Sequence, residues 1–195
     1  SRGKKVLKEV LDKDFDGTIG CDGWSSYAAF AINIAPNSNI QRCWSHLLRE
    51  ADDLAEKCEE AVPIAEELHR IYDELIAFVG KDPPPEEREE RKEEASRELK
   101  QLLSEDYEDE EIEDLMKKIG NGFDYWFTFL TEPRVESTNN RAERALRELV
   151  IQRRIMGSIR SERGRRAYET IMTMLATWKQ QKLDPYEEML KAIRN

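Results

Sequence analysis

Three short strings in this chain bring together residue types that do chemistry. The first is Cys21-Asp22-Gly23-Trp24. It puts a carboxylate at the end of an apolar run, where open α/β sheets place their sites. The same Asp-Gly pair can also simply start a turn. The second runs from Thr138 through Asn139, Asn140, Glu143 and Arg144 to Arg147. On a helix, Glu143, Arg147 and Arg154 fall near one face, a carboxylate beside cations able to grip phosphate. The same spacing makes Asn140 an N-cap with Glu143 three residues on, a capping box. The third is Cys43-Trp44-Ser45-His46-Leu47-Leu48-Arg49. His46 and Arg49 lie one helical turn apart and can face a common polar site, or His46 can be an ordinary satisfied histidine. Structural zinc would need four ligands from Cys21, Cys43, Cys58, His46 and His69, and their spacing is wrong for it.

The elements that must position these strings follow from periodicity. Val6, Leu7, Val10 and Leu11 predict a helix over Lys4 to Asp12. Thr18 to Cys21 reads as a short strand, and Ser25 opens a helix through Tyr27, Ala28 and Phe30. Asn33 to Asn39 reads as a loop, and Ile40 to Trp44 as a second buried strand. Helical faces follow at Leu47, Ala51 and Leu54, then at Ile64, Leu68, Ile71 and Leu75, with Pro63 in a first turn. Pro83-Pro84-Pro85 predicts a stiff linker, and Glu86 to Lys100 a charged helix with few apolar anchors, facing solvent or mobile. Ile112, Leu115, Met116 and Ile119, then Phe123, Trp126, Phe127 and Leu130, predict core. Gly120-Asn121-Gly122 between them either breaks or kinks the helix. Three helices close the chain: Arg141 to Arg154, one with Ile171, Met174, Leu175 and Trp178 on its face, and one opened by Pro185 with Met189, Leu190 and Ile193 inward. Two short strands cannot make a stable sheet alone, so further strands hide in the loops or the sheet is incomplete.

Charge narrows the function classes. The 195 residues carry 31 Lys+Arg and 41 Asp+Glu, a net of −10, and 37% are charged. Ordinary domains are about 25% charged, so long exposed helices are expected. No apolar run reaches the roughly 20 residues of a membrane span. Ser1 to Lys5 has no apolar stretch behind it, so it does not read as a signal peptide. The odd cysteine count, without C-x-x-C, suits reduced thiols in the cytosol. A membrane protein, a collagen-like chain and a disulfide scaffold are thereby excluded. Lys81 to Gly120 holds 16 acidic and 8 basic residues, whereas Arg134 to Arg166 holds 10 arginines and 4 glutamates. An arginine-only basic segment in an acidic chain is a nucleic-acid or phosphate surface, or a partner for the acidic block.

Taken in order, the three strings resemble the catalytic domain of transposases of the insertion-sequence-66 family. The matching residues are Asp22 to Tyr27, Gln41 to Arg49, Thr138 to Arg144 through Gln152 to Gly157, and Leu175 to Gln181. The resemblance implies a DDE transposase with a ribonuclease H-like fold. It implies an α+β, mostly helical chain holding an incomplete ribonuclease H-like core: residues 1–50 in that core, 51–130 a helical insertion with the acidic segment, and 131–195 the glutamate helix and closing helices. It implies Asp22 as the second and Glu143 as the third carboxylate of a triad holding Mg²⁺ (or Mn²⁺).

It further implies transposon-end DNA as a partner, met by Arg144, Arg147, Arg153, Arg154, Arg160, Arg163, Arg165 and Arg166. Trp24, Tyr27, His46, Arg49 and Asn140 take accessory places. A homo-oligomer or a full-length transposase is a further partner, and the setting is the prokaryotic cytoplasm at the nucleoid. The first triad carboxylate has no counterpart: Asp14 and Asp16 lie in a loop on the wrong side of the first helix. The chain is therefore expected to be a C-terminal part of a catalytic domain, binding metal poorly and inactive in strand cleavage by itself. The alternatives are a non-catalytic remnant that binds DNA or transposase, and a helical interaction scaffold.

Overall fold

The computed structural model describes residues 7, 11, 13–23 and 25–194. The expected first helix lies mostly outside the described residues, and so does Trp24. The chain divides into two compact units, Ser1–Glu143 and Arg144–Asn195.

The first unit opens with strand β1 (Thr18–Cys21), helix α1 (Ser25–Asn33) and strand β2 (Asn39–Arg42). The strands are parallel, with Thr18 opposite Asn39 and Cys21 opposite Arg42. A parallel pair needs a crossover, and α1 supplies it. Cys21, Ala31 and Ile40 form a small apolar cluster with Tyr27 and Tyr125 packed against it. The second strand ends two residues before the expected Trp44. The Cys43 amide donates to Cys21 O at 2.8 Å to close the sheet edge, and Trp44 already begins a helix. Among the described residues these are the two strands of the only sheet. The class is thus α+β and mostly helical.

So small a sheet needs outside support. Gln41, fully buried, supplies it: its Nε2 donates to Arg42 O at 2.7 Å and to Trp126 O at 3.2 Å, and its Oε1 accepts from Phe129 N at 2.7 Å. Thr128 Oγ1 donates to Ile40 O at 2.6 Å.

The helices are α2 (Trp44–Ala55), a 3₁₀ turn (Glu59–Ala61), α3 (Val62–Val79), α4 (Pro85–Leu103), α5 (Glu110–Gly120), a second 3₁₀ turn (Phe123–Trp126) and α6 (Thr128–Thr131). Their buried faces meet in one core that includes Trp44, Leu68, Ile71, Leu99, Ile119 and Leu130. Pro63 sits in the first turn of α3. Asp109 caps α5 by accepting from Glu111 N at 2.8 Å and Ile112 N at 3.1 Å. Gly120-Asn121-Gly122 breaks the helix rather than kinking it: α5 stops at Gly120 and the chain re-enters as a 3₁₀ turn at Phe123.

Helix α4 differs from its expected solvent-facing character. Arg88, Ala95, Leu99 and Leu102 are buried. Arg88 reaches inward and donates to Pro83 O at 2.8 Å, Leu130 O at 3.1 Å and Asp82 Oδ1 at 3.0 Å. The proline run is therefore a helix start and not a linker: Pro84 takes the N-cap position and Pro85 the first turn.

In the second unit α7 (Asn140–Met156, begun in the first unit), α8 (Glu162–Gln180) and α9 (Pro185–Arg194) follow one another. Ser161 caps α8 by accepting from Gly164 N at 3.1 Å. None of the three helices buries a residue. The expected inward faces stay open: Ile171 and Ile193 are exposed, and Met174, Leu175 and Trp178 are only partly covered.

Candidate functional site

Both parallel strands end at the same edge, so the residues just past them converge. Asp22 and Gly23 leave β1, and Arg42 ends β2 opposite Cys21. Helix α2 starts two residues after Arg42 and carries His46 and Arg49 in its first two turns. One cleft of about 430 Å³ is lined by Asp22, Arg42, His46, Arg49 and Glu50, among others. The structure thus brings together two of the three chemistry-bearing strings at this cleft.

The third string arrives by a set of backbone bonds. Trp44 N donates to Ser137 O at 3.1 Å, and Asn139 N to Cys43 Sγ at 3.3 Å. Tyr72 and Ser137 hydroxyls lie 3.0 Å apart, with Ser137 buried. Asn140 Nδ2 donates to Ser45 Oγ at 3.0 Å. This clasp lays the first turn of α7 against the first turn of α2. Glu143 Oε1 then meets His46 Nε2 at 3.3 Å. His46 Nδ1 is buried with no partner. Asn140 and Glu143 spend their side chains on Ser45 and His46, so the spacing serves contacts with α2 in place of a reciprocal capping box.

Asp22 and Glu143, 121 positions apart in sequence, are linked only through His46: it lines one cleft with Asp22, and its ring nitrogen meets Glu143, which does not itself line that cleft. Their carboxylate oxygens suit Mg²⁺ in kind. They fall short in number, because among the described residues no three His, Cys, Asp or Glu side chains gather closely enough to hold a metal ion. The thiols add nothing: Cys21 and Cys43 are free and buried, and burial pushes the Cys21 pKa up, keeping it protonated. Tyr27 packs beside the Cys21–Ala31–Ile40 cluster and has a structural place.

Arg42 was not among the residues singled out in the sequence, and it is the most unusual side chain here. Only 6% of it is exposed. Its guanidinium lies 4.1 Å from the centre of the Trp126 ring, and Nη1 donates to Lys118 O at 2.6 Å. Burial pulls its pKa down from the usual arginine value. Room for it exists because Gly23 and Gly122 flank it: a Cβ on Gly23 would stand 2.6 Å from Nη2, and one on Gly122 would stand 2.6 Å from Cδ. Gly23 also has φ of +88°, a conformation that favours glycine. Two glycines a hundred positions apart around one arginine leave no pattern in a sequence.

The eight arginines expected to meet DNA are all exposed. Arg165 pairs with Glu162 and Glu169, and Arg166 with Glu162, all within α8. Among the described residues Arg144, Arg147, Arg153, Arg154, Arg160 and Arg163 take part in no ion pair (compare the fully paired Arg70, held by Glu67, Glu74 and Glu98). The acidic stretch uses Arg70, Arg91, Lys92 and Lys117 of the first unit as partners.

A family model described as "Transposase IS66 family" matches residues 1–167. The chain is similar to an uncharacterized protein, y4qI, of Sinorhizobium fredii (strain NBRC 101917 / NGR234), with 31% identity over 191 residues. That match covers 89% of this chain and 34% of the relative, so the chain spans about a third of that protein's length. No solved structure matches.

Proposed function

The chain belongs to the IS66 transposase family, whose work is transposition, and on that premise we propose that it forms part of a DDE transposase catalytic domain. In this reading residues 1–50 and 131–195 belong to a ribonuclease H-like core and 51–130 form a helical insertion. Asp22 and Glu143 would each give carboxylate oxygens to Mg²⁺ or Mn²⁺, with the remaining ligands from outside the described cluster. When bound, such ions would supply Lewis-acid activation of the attacking oxygen and charge stabilisation at the leaving oxygen of a phosphodiester. This chain's own residues do the rest. His46 holds Glu143 beside the cleft, Arg49 lines that cleft, and the α7–α8 arginines hold the DNA backbone.

The observation that supports this best is the clasp between residues 137–140 and the start of α2. It brings Glu143 to His46, and His46 lines the same cleft as Asp22. With only two carboxylates of the triad in this reading, strand cleavage by this chain alone is not expected. A second reading is a non-catalytic binder of DNA or of a full-length transposase, carried by the exposed arginines of α7 and α8 that form no ion pair among the described residues. The test is transposition in cells by a full-length transposase carrying this sequence. Asp22→Asn and Glu143→Gln should each abolish excision while protein levels hold. Excision that survives either change overturns the catalytic reading.

A further inference from the structure

Arg42 forms the wall between two clefts. One is the Asp22–His46 cleft; the other, about 400 Å³, is lined by Cys21, Lys117, Asn121, Gly122 and Tyr125 among others. Its guanidinium is held flat by the Trp126 ring and by two glycines, and one nitrogen is spent on Lys118 O. Its Nε is buried with no acceptor, and among the described residues no carboxylate forms a salt bridge with it. The neighbouring cations differ: Lys118 pairs with Glu50, and Lys117 with Glu113 and Asp114. A buried cation with an unmet N–H is costly, and a ligand oxygen reaching the guanidinium from the cleft would offset that cost.

We propose that Arg42 is a phosphate clamp, taking a non-bridging oxygen of a nucleic-acid backbone phosphodiester that lies against Asp22. The planar fork of arginine suits phosphate oxygens, and a fork pinned in advance loses little freedom on binding. The carboxylates of Asp22 and Glu50 share the cleft, so a singly charged diester fits better than a doubly charged monoester. This rests on the reading of the chain as part of a DNA-processing site. It adds a subsite distinct from the exposed arginines of α7 and α8.

The experiment measures binding of the full chain to short duplexes, each carrying one neutral methylphosphonate at a successive position. In the parent, one position should weaken binding about tenfold, the order expected for a lost charge-assisted hydrogen bond. Arg42→Gln should weaken binding to the unmodified duplex about tenfold and erase the penalty at that one position. Arg42→Lys should not restore it, because the fork is gone. Gly122→Ala keeps the arginine but displaces it, and decides the matter if Arg42→Gln melts too low to assay. A merely structural role would lower affinity at all positions alike and leave the penalty in place; that result, or unchanged affinity, overturns the clamp. If Arg153→Ala/Arg154→Ala still weakens binding in that case, the DNA-processing reading stands without it. No binding by the parent at low salt overturns both.

Discussion

Replacing Arg153 and Arg154 together with alanine should change how DNA affinity responds to salt, by an amount that follows from the ion pairs. Of the eight exposed arginines on α7, α8 and the turn between them, two are tied to Glu162 and Glu169, leaving six with no ion pair among the described residues. If each of the six neutralises one phosphate, log affinity should fall against log salt with a slope of about −5.4, at about −0.9 per contact. Between roughly 50 and 200 mM salt that is a loss of about 2,000-fold. The double variant keeps four contacts, so its slope should be about −3.6 and its loss about 150-fold. Residues 144–195 hold 12 basic and 6 acidic side chains, a net of +6 in a chain whose total is −10. The acidic remainder repels DNA over a screening length of about 10 Å at 0.1 M, so the titration must begin at low salt. Anisotropy titrations of a short duplex at several salt concentrations give both slopes. Equal slopes in parent and variant would refute the assignment and leave the arginines a structural role.

Gln41→Leu should destabilise the first unit by about 1–3 kcal/mol in urea unfolding, because the buried Phe129 amide loses its acceptor, whereas Trp126 O keeps the Trp44 indole N–H at 2.8 Å. A change under about 0.5 kcal/mol would show that water replaces it. Tyr107, whose hydroxyl donates to Leu102 O, is pushed up to about 12 by burial, with the charge of Glu105 adding to it. The folded chain therefore keeps this proton while the unfolded chain loses it, so stability should fall as pH rises from about 10 to about 12. Tyr107→Phe should remove that step from unfolding curves taken across the alkaline range, and a step that remains would belong to another group. The chain by itself should give no Mg²⁺- or Mn²⁺-dependent nicking of transposon-end DNA, and cleavage that vanishes in Asp22→Ala would show its ligand set to be complete.

The sequence was most legible where local chemistry and periodicity agree. The strand at Thr18–Cys21, the proline start of α3 and the apolar stripe of α5 all follow from patterns a few residues long. It was least legible where a partner lies far along the chain. The clasp on Glu143 depends on Cys43 and Trp44 meeting residues 137–139, and no spacing announces that. Helix α4 misled because its inward face is built from an arginine and an alanine as well as two leucines, so counting apolar anchors underrates it. The α8 and α9 stripes were visible as stripes, yet periodicity marks which face is apolar and not whether anything covers it. Ile155, 79% exposed, makes the same point on α7.

The contact between His46 and Glu143 raises the question of what holds α7 in place. The two side chains are 32% and 46% exposed, and an ion pair so open to water contributes about 0–1 kcal/mol. The clasp beside it uses backbone donors of Trp44 and Asn139 and the Asn140 amide, none of which depends on the charge of Glu143. The scaffold therefore positions Glu143 with little help from its charge. Glu143→Gln keeps the shape and removes the charge, so its unfolding free energy should stay within about 0.5 kcal/mol of the parent or rise slightly. Urea unfolding of the two chains side by side measures it. A loss above about 1 kcal/mol would mean that the His46–Glu143 contact, and not the clasp, holds residues 140–143 against α2. Unchanged stability would make Glu143→Gln a clean probe, because any loss of transposition would then belong to the carboxylate itself.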